Sequence, residues 1–187
     1  MQIVRLFILG ILKRRGSSHG YRIYRDLVEW RVETWTIIRP GSIYHALTQM
    51  EKLGLIEQIA DDSDQKLGPS KAEYRLTIAG EQEFLTLLKK ALTDINIVEL
   101  SAGIAFMEYL PRQEVMDLLR QRYDAQKQVA GFLSVLPMQD VPSTPAQHPE
   151  LIRTWTDSYV DAAASTQKII DAIQSGKYVF QNEEVEK

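Results

Sequence analysis

Gly41-Ser42-Ile43-Tyr44-His45-Ala46-Leu47 is the stretch on which the reading of this chain turns. Pro40 stands before it and Gly54 closes the run that follows. Proline is favoured at a first helical position and glycine just past the last, so the spacing predicts a helix from Pro40 to Leu53. At about 100° per residue, Ala46, Leu47, Met50 and Leu53 fall within about 80° of Ile43, an apolar stripe for a core. The opposite side carries Gly41, Tyr44, His45, Thr48, Gln49 and Lys52, with Ser42 at the border.

Working outward, the apolar run Leu6 to Leu12 ends in Lys13-Arg14-Arg15 and Gly16, which reads as a helix from Ile3 to Arg15 with cations at its negative end. Ser17 or Ser18 offers an N-cap for a second helix, His19 to Trp30, in which Tyr21, Ile23, Tyr24, Leu27 and Val28 recur at helical spacing. Residues 31–39 are rich in β-branched and aromatic types and are expected to be extended or a short strand. After Gly54, strands are expected over 55–60 and 72–77, joined by a polar loop, 61–71. Helix, helix, helix, strand, loop, strand is the order of a winged helix-turn-helix.

In that setting the polar face of the third helix has the chemistry to read base edges in a major groove. It presents donors and acceptors from the first turns onward. Gln49 and His45 are the expected base readers, and Lys52 a phosphate contact. Tyr44 either bonds a phosphate or packs under the wing. Gly41 would let the helix start approach a backbone closely. The loop carries Lys66, Gly68, Pro69, Ser70 and Lys71, whose cations suit phosphates, and His19 lies where a phosphate could also pass. The loop's first arm, Asp61-Asp62-Ser63-Asp64, opposes that role. It either points away from DNA or weakens non-specific binding.

Beyond a further helix from Ile78 to about Leu92 the chain reads as helical throughout. One segment is marked by Ile97, Leu100 and Ile104 and interrupted at Pro111, and a second runs from Val115 to Leu136. Residues 137–149 hold four of the seven prolines and read as a linker. The last helix, about Glu150 to Gln174, has an apolar side including Leu151, Ile152, Trp155, Tyr159, Ile170 and Ile173. That stripe is long enough to require a covering helix, expected from a second copy of the chain. The expected organisation is mainly α: a winged-helix domain over 1–92, a helical dimerisation domain over 93–180, and a disordered tail over 181–187.

The 187 residues have a formal net charge of -3, which by itself argues against nucleic acid. The charge is uneven, however. Residues 1–92 carry 14 Lys and Arg against 11 Asp and Glu, whereas residues 93–187 carry 8 against 14. A basic first half remains compatible with DNA. The absence of cysteine excludes disulfides and thiolate metal sites, and fits a reducing cytoplasm. His19, His45 and His148 share no metal-ligand spacing, and no cofactor or metal is expected. No phosphate loop, nucleophile elbow or paired carboxylate points to an enzyme. The N-terminal apolar run is too short to span a membrane and has its cations on the wrong side for a signal peptide. Trp30, Trp35 and Trp155 fill cores or line an effector pocket, with Trp155 the foremost ligand candidate.

Five stretches together resemble the PadR family of bacterial transcriptional regulators. They are Ile8-Leu9-Gly10-Ile11-Leu12, His19-Gly20-Tyr21-Arg22-Ile23-Tyr24, Gly41 to Leu47, Leu53-Gly54-Leu55-Ile56-Glu57 and Tyr74-Arg75-Leu76-Thr77-Ile78-Ala79-Gly80. They cover roughly the first 85 residues, and the remainder is similar to the longer-tailed branch of that family. The resemblance implies a homodimer on a roughly palindromic operator, usually a repressor, released in some members by a small aromatic or hydrophobic effector. The sequence departs from the family pattern in the wing, where many members carry arginines near the glycine. The competing function is a winged-helix module that binds protein, whose exposed helix face would be apolar or acidic instead.

Overall fold

The computed structural model describes residues 2–36, 38–59, 72–136, 149–181 and 183. The chain forms two compact units that interleave in sequence: 1–91 with 98–106, and 92–97 with 107–187. The chain passes between the units three times, after residues 91, 97 and 106, since most of one short helix, α5 (Ile97–Ile104), counts with the first unit.

The first unit is built round α1 (Gln2–Arg15), in which Val4 and every residue from Leu6 to Leu12 are buried. A helix apolar nearly all round must be enclosed. Here α2 (Gly20–Glu29), α3 (Pro40–Lys52) and a small sheet enclose it. Gly10 is required by close approach. A Cβ there would lie 2.4 Å from the ring of Phe106, which is fully buried beside it. Phe106 also meets Phe7, Trp30 and Phe84 with ring centroids 6.2, 5.8 and 5.9 Å apart. Trp35 packs on Phe7 at 5.9 Å, and the Arg14 guanidinium lies 5.0 Å over Trp30. Trp30 and Trp35 thus belong to an aromatic cluster of this unit.

The sheet has three antiparallel strands in the order β1-β3-β2: β1 (Ser17–His19), β2 (Ile56–Gln58) and β3 (Glu73–Leu76). Two sequence expectations are corrected here. Ser17 and Ser18 do not cap α2; they pair with Arg75 and Tyr74 in β1, and His19 is the N-cap residue without a side-chain bond to the helix. Residues 31–39, expected to be extended or a short strand, hold a 3₁₀ turn at Val32–Thr34, with the Thr34 and Thr36 hydroxyls donating to the carbonyls of Arg31 and Val32, and only Arg39 at the end is shown extended. Local β-propensity cannot see that β3 already has both neighbours, β2 and the distant β1, whose Ser17 hydroxyl also donates to the Glu73 carboxylate at 2.6 Å. Beyond β3, Thr77 turns the chain into α4 (Ile78–Thr93): its hydroxyl donates to the Gly54 carbonyl at 2.6 Å and accepts the Gly80 N–H at 3.1 Å. Gly80 is again forced, because the Leu55 carbonyl oxygen stands 1.9 Å from where a Cβ would be.

The second unit is an antiparallel pair, α6 (Arg112–Ser134) against α7 (Pro149–Gln174). Val115, Leu119, Leu133, Ile152, Ile170 and Ile173 are buried in it. A polar seam crosses this core. Arg122, only 1% exposed, donates from Nε to Thr166 Oγ1 and from its two terminal nitrogens to the carbonyls of Asn96 and Ile95. Thr166 in turn donates to Gln126 Oε1 at 2.9 Å, while Gln126 Nε2 has no partner. Burial pulls the Arg122 pKa down, with the charge of nearby Asp94 opposing it. At the far end Arg112 grips the chain beyond α7, donating to the Tyr178 carbonyl at 2.8 Å and to Glu183 Oε2 at 2.6 Å while lying 4.7 Å over the Phe180 ring. The tail expected to be disordered from 181 therefore has at least Glu183 held in place; 182 and 184–187 lie outside the described residues.

Candidate nucleic-acid interface

The two faces of α3 separate as its sequence predicts. Ile43, Ala46, Leu47 and Met50 are buried against the rest of the first unit. Leu53 is not: it is 59% exposed, because the helix ends at Lys52 and Leu53 is already its C-cap. On the other face His45 and Lys52 are exposed, and Tyr44, Thr48, Gln49 and Ser42 are half-buried. The side chains of Tyr44, His45, Gln49 and Lys52 make no hydrogen bond or ion pair with any described residue. They leave a row of two donor-acceptor groups, a phenol and a cation uncommitted on one side of a well-anchored helix.

Two expected members of that row are already engaged. The Ser42 hydroxyl accepts the Arg39 N–H at 3.1 Å and donates to the Arg39 carbonyl at 2.7 Å, so it caps α3. The Thr48 hydroxyl donates to the Tyr44 carbonyl at 3.1 Å. Neither has a proton to offer an incoming acceptor without breaking its bond to the helix backbone, although each keeps lone pairs. Gly41 has nothing within 4 Å of its Cβ position and a φ that any residue adopts, so the chain's own fold gives no reason for a glycine there. A partner brought close to the helix start supplies one.

The sequence reading missed Tyr21 and Arg39. Tyr21 counts by spacing with the apolar side of α2, yet it is 50% exposed, whereas Ile23 and Leu27 of the same helix are buried. Arg25 Nη1 donates to its phenol oxygen at 3.1 Å, an i, i+4 contact visible in the sequence once the face is known. Arg39 lies just before the predicted helix and so escapes a wheel. His19 sits exposed between β1 and α2. Ser70 and Lys71, with Lys66 and the acidic arm, lie outside the described residues. The strands that carry this wing are tied by a cross-strand Arg75–Glu57 pair at 2.7 Å.

The residues expected at a dimer contact divide in two. Ile152, Ile170 and Ile173 are buried, with α6 of the same chain packed along α7, which corrects the inference that their stripe needs a second copy to cover it. Leu151 and Tyr159 are half-buried, and Trp155 is 47% exposed. What α6 and α7 leave in the open is another set, including Phe132, Val135 and Val160, and residues of both helices line a groove of about 610 Å³, Tyr123, Lys127, Ala130, Gly131, Val160 and Ala163 among them. Trp155 does not line that groove, although its neighbour Thr156 does. No helix among the described residues is long and apolar enough to cross a membrane.

Three helices, a strand-flanked wing and an uncommitted third-helix face define a winged helix-turn-helix. Residues 8–86 match the model of the transcriptional regulator PadR-like family. The match spans the winged-helix part of the chain. Among solved structures, the transcriptional regulator PadR from Bacillus subtilis is similar over 91% of this chain and 99% of its own, at 23% identity and a TM-score of 0.39. The same regulator in complex with operator DNA gives 23% identity, the same coverage and 0.38. A PadR-like transcriptional regulator from Bacillus cereus gives 18%, 92% and 99% coverage, and 0.38. No curated protein matches the sequence.

Proposed function

We propose that this chain is a cytoplasmic, sequence-specific DNA-binding regulator that represses transcription as a homodimer on a roughly palindromic operator. The observation that carries the reading is the uncommitted face of α3. Tyr44, His45, Gln49 and Lys52 make no side-chain hydrogen bond or ion pair with any described residue, while Ile43, Ala46, Leu47 and Met50 anchor the same helix to the core. In this reading Gln49 and His45 meet base edges, where a glutamine pairs bidentately with adenine. Lys52, Tyr44, Ser70, Lys71 and His19 meet phosphates, and Ser42 and Thr48 accept at most.

The homodimer is the second part of the proposal. Exposed Val160 lines the α6/α7 groove, and an exposed apolar groove of this kind marks an interaction site. Two copies would join two half-sites spaced by about one helical turn. Release by a small aromatic or hydrophobic effector rests on the family resemblance, with Trp155 as the candidate contact.

The deciding experiment is a gel shift with duplexes from the gene's own upstream region over a salt series. Binding below micromolar at low salt, weakening steeply as salt rises, is expected. Absence of binding to every such fragment would leave a protein-binding module as the better account.

A further inference from the structure

We infer that Arg39 is a phosphate anchor at the leading end of α3, a role that deepens the DNA-binding reading above and depends on it. Its backbone is pinned and its side chain is not. The Arg39 carbonyl accepts the Ser42 hydroxyl at 2.7 Å, the Ser42 N–H at 3.0 Å and the Ile43 N–H at 3.4 Å, and its own N–H donates to the Ser42 hydroxyl at 3.1 Å. Pro40 follows and favours the extended geometry that Arg39 has, φ -116° and ψ 156°. The side chain is exposed and makes no hydrogen bond or ion pair with any described residue.

The other described arginines of the first unit make the contrast. Arg5 pairs with Glu83, Arg15 and Arg22 with Asp26, Arg25 with Tyr21 and Glu29, and Arg75 with Glu57, while Arg14 donates to the Ala105 carbonyl. Arg31 and Arg39 alone among them are uncommitted. Arg39 is also the wrong residue for its place if helix stability were the only demand. N-caps favour Ser, Thr, Asp or Asn, and a cation at a helix N-terminus opposes the macrodipole. A residue that works against its own helix, and that no described neighbour neutralises, fits a partner of opposite charge. Arginine's planar fork matches a phosphodiester oxygen pair, and its charge is permanent. The position adjoins the helix that presents Tyr44, His45 and Gln49, and the Ser42 hydroxyl beside it is already committed. A wing whose first arm is Asp61-Asp62-Ser63-Asp64 leaves a need for such a cation.

The test uses the full chain with two duplexes: one selected from random sequence by the parent protein, and one of unrelated sequence. Arg39→Ala should weaken both by roughly five- to tenfold at about 0.1 M salt and reduce the salt slope by about one unit. Arg39→Lys should keep the slope, and Arg31→Ala should keep both slope and affinity. Arg39→Asp should melt no lower than the parent while binding worse than Arg39→Ala, a split that a merely structural role does not produce. Parent-like affinity and slope in Arg39→Ala overturns the anchor while leaving the DNA reading intact. So does an equal loss in Arg31→Ala, or a change of base preference without a change of slope. A parent that binds neither duplex overturns both.

Discussion

Ser42 shows how a single residue can be read correctly as important and assigned the wrong partner. From the sequence it is a polar group at the edge of a face suited to DNA; in the fold its hydroxyl closes the first turn of α3 on Arg39. Ser42→Ala should therefore lower the unfolding free energy by about 1 kcal/mol, the usual worth of a cap, and leave the salt slope of DNA binding unchanged. Denaturant melts and a salt titration check the two halves separately, and a changed slope at unchanged stability returns Ser42 to the interface. The buried side of the same helix was legible because a period of 3.6 is intrinsic to the backbone. Hydroxyl direction was not, since a serine at this position can turn either to a ligand or to the carbonyl three residues back. Arg39 was illegible for a related reason: a wheel begins where the helix does.

At the scale of elements, Val32–Thr34 forms a turn within a segment expected to be extended or a short strand, because β-branched residues record only a local preference, whereas a strand also needs a free edge. Thr36 satisfies its hydroxyl in a turn instead. The polar seam between α6 and α7 had no sequence signature at all, because Arg122, Gln126 and Thr166 look like solvated helix positions until the helices are paired. The seam makes a sharp prediction. Thr166→Val keeps the volume but removes the hydroxyl that accepts from Arg122 and donates to Gln126, leaving a buried donor and a buried acceptor unmatched. A loss of about 1–3 kcal/mol in urea unfolding is expected; an unchanged midpoint would show the seam to be slack.

The clamp on the chain beyond α7 responds to pH. Hydrogen bonds from Arg112 hold the Glu183 carboxyl below its ordinary range. A group depressed on folding contributes stability that is complete above its unfolded pKa, about 4.3 for glutamate, and is lost as pH falls through the lower folded value. The parent should thus lose stability on acidification below about pH 4.3 relative to Glu183→Gln, which lacks that titration. Parallel melts between about pH 6 and pH 3 test it. A parent that shows no loss peculiar to it on acidification, its stability keeping a constant offset from that of Glu183→Gln, would remove Glu183 from the clamp.

For the whole molecule, the last helix was expected to need a second copy along its entire stripe. α6 supplies the cover for Ile152, Ile170 and Ile173, while Phe132, Val135, Trp155 and Val160 are large apolar side chains that stay exposed. A mass measurement in solution should give twice 21.4 kDa for the parent, and Val160→Glu should move it toward the monomer. A parent that is monomeric at micromolar concentration removes the dimer from the account. Charge is divided on the same large scale, basic over 1–92 and acidic beyond, an asymmetry legible in the sequence without any structure.

The central claim, that the free face of α3 reads DNA, is tested most directly by selecting binding sites from random duplex DNA with the parent protein and with Gln49→Ala. The parent should enrich a two-fold related sequence with half-sites about one helical turn apart. Gln49→Ala should bind that sequence more weakly by about 1–3 kcal/mol and lose preference at one position in each half-site. Enrichment of the same sequence by both proteins, with equal affinity, would contradict the assignment of that face.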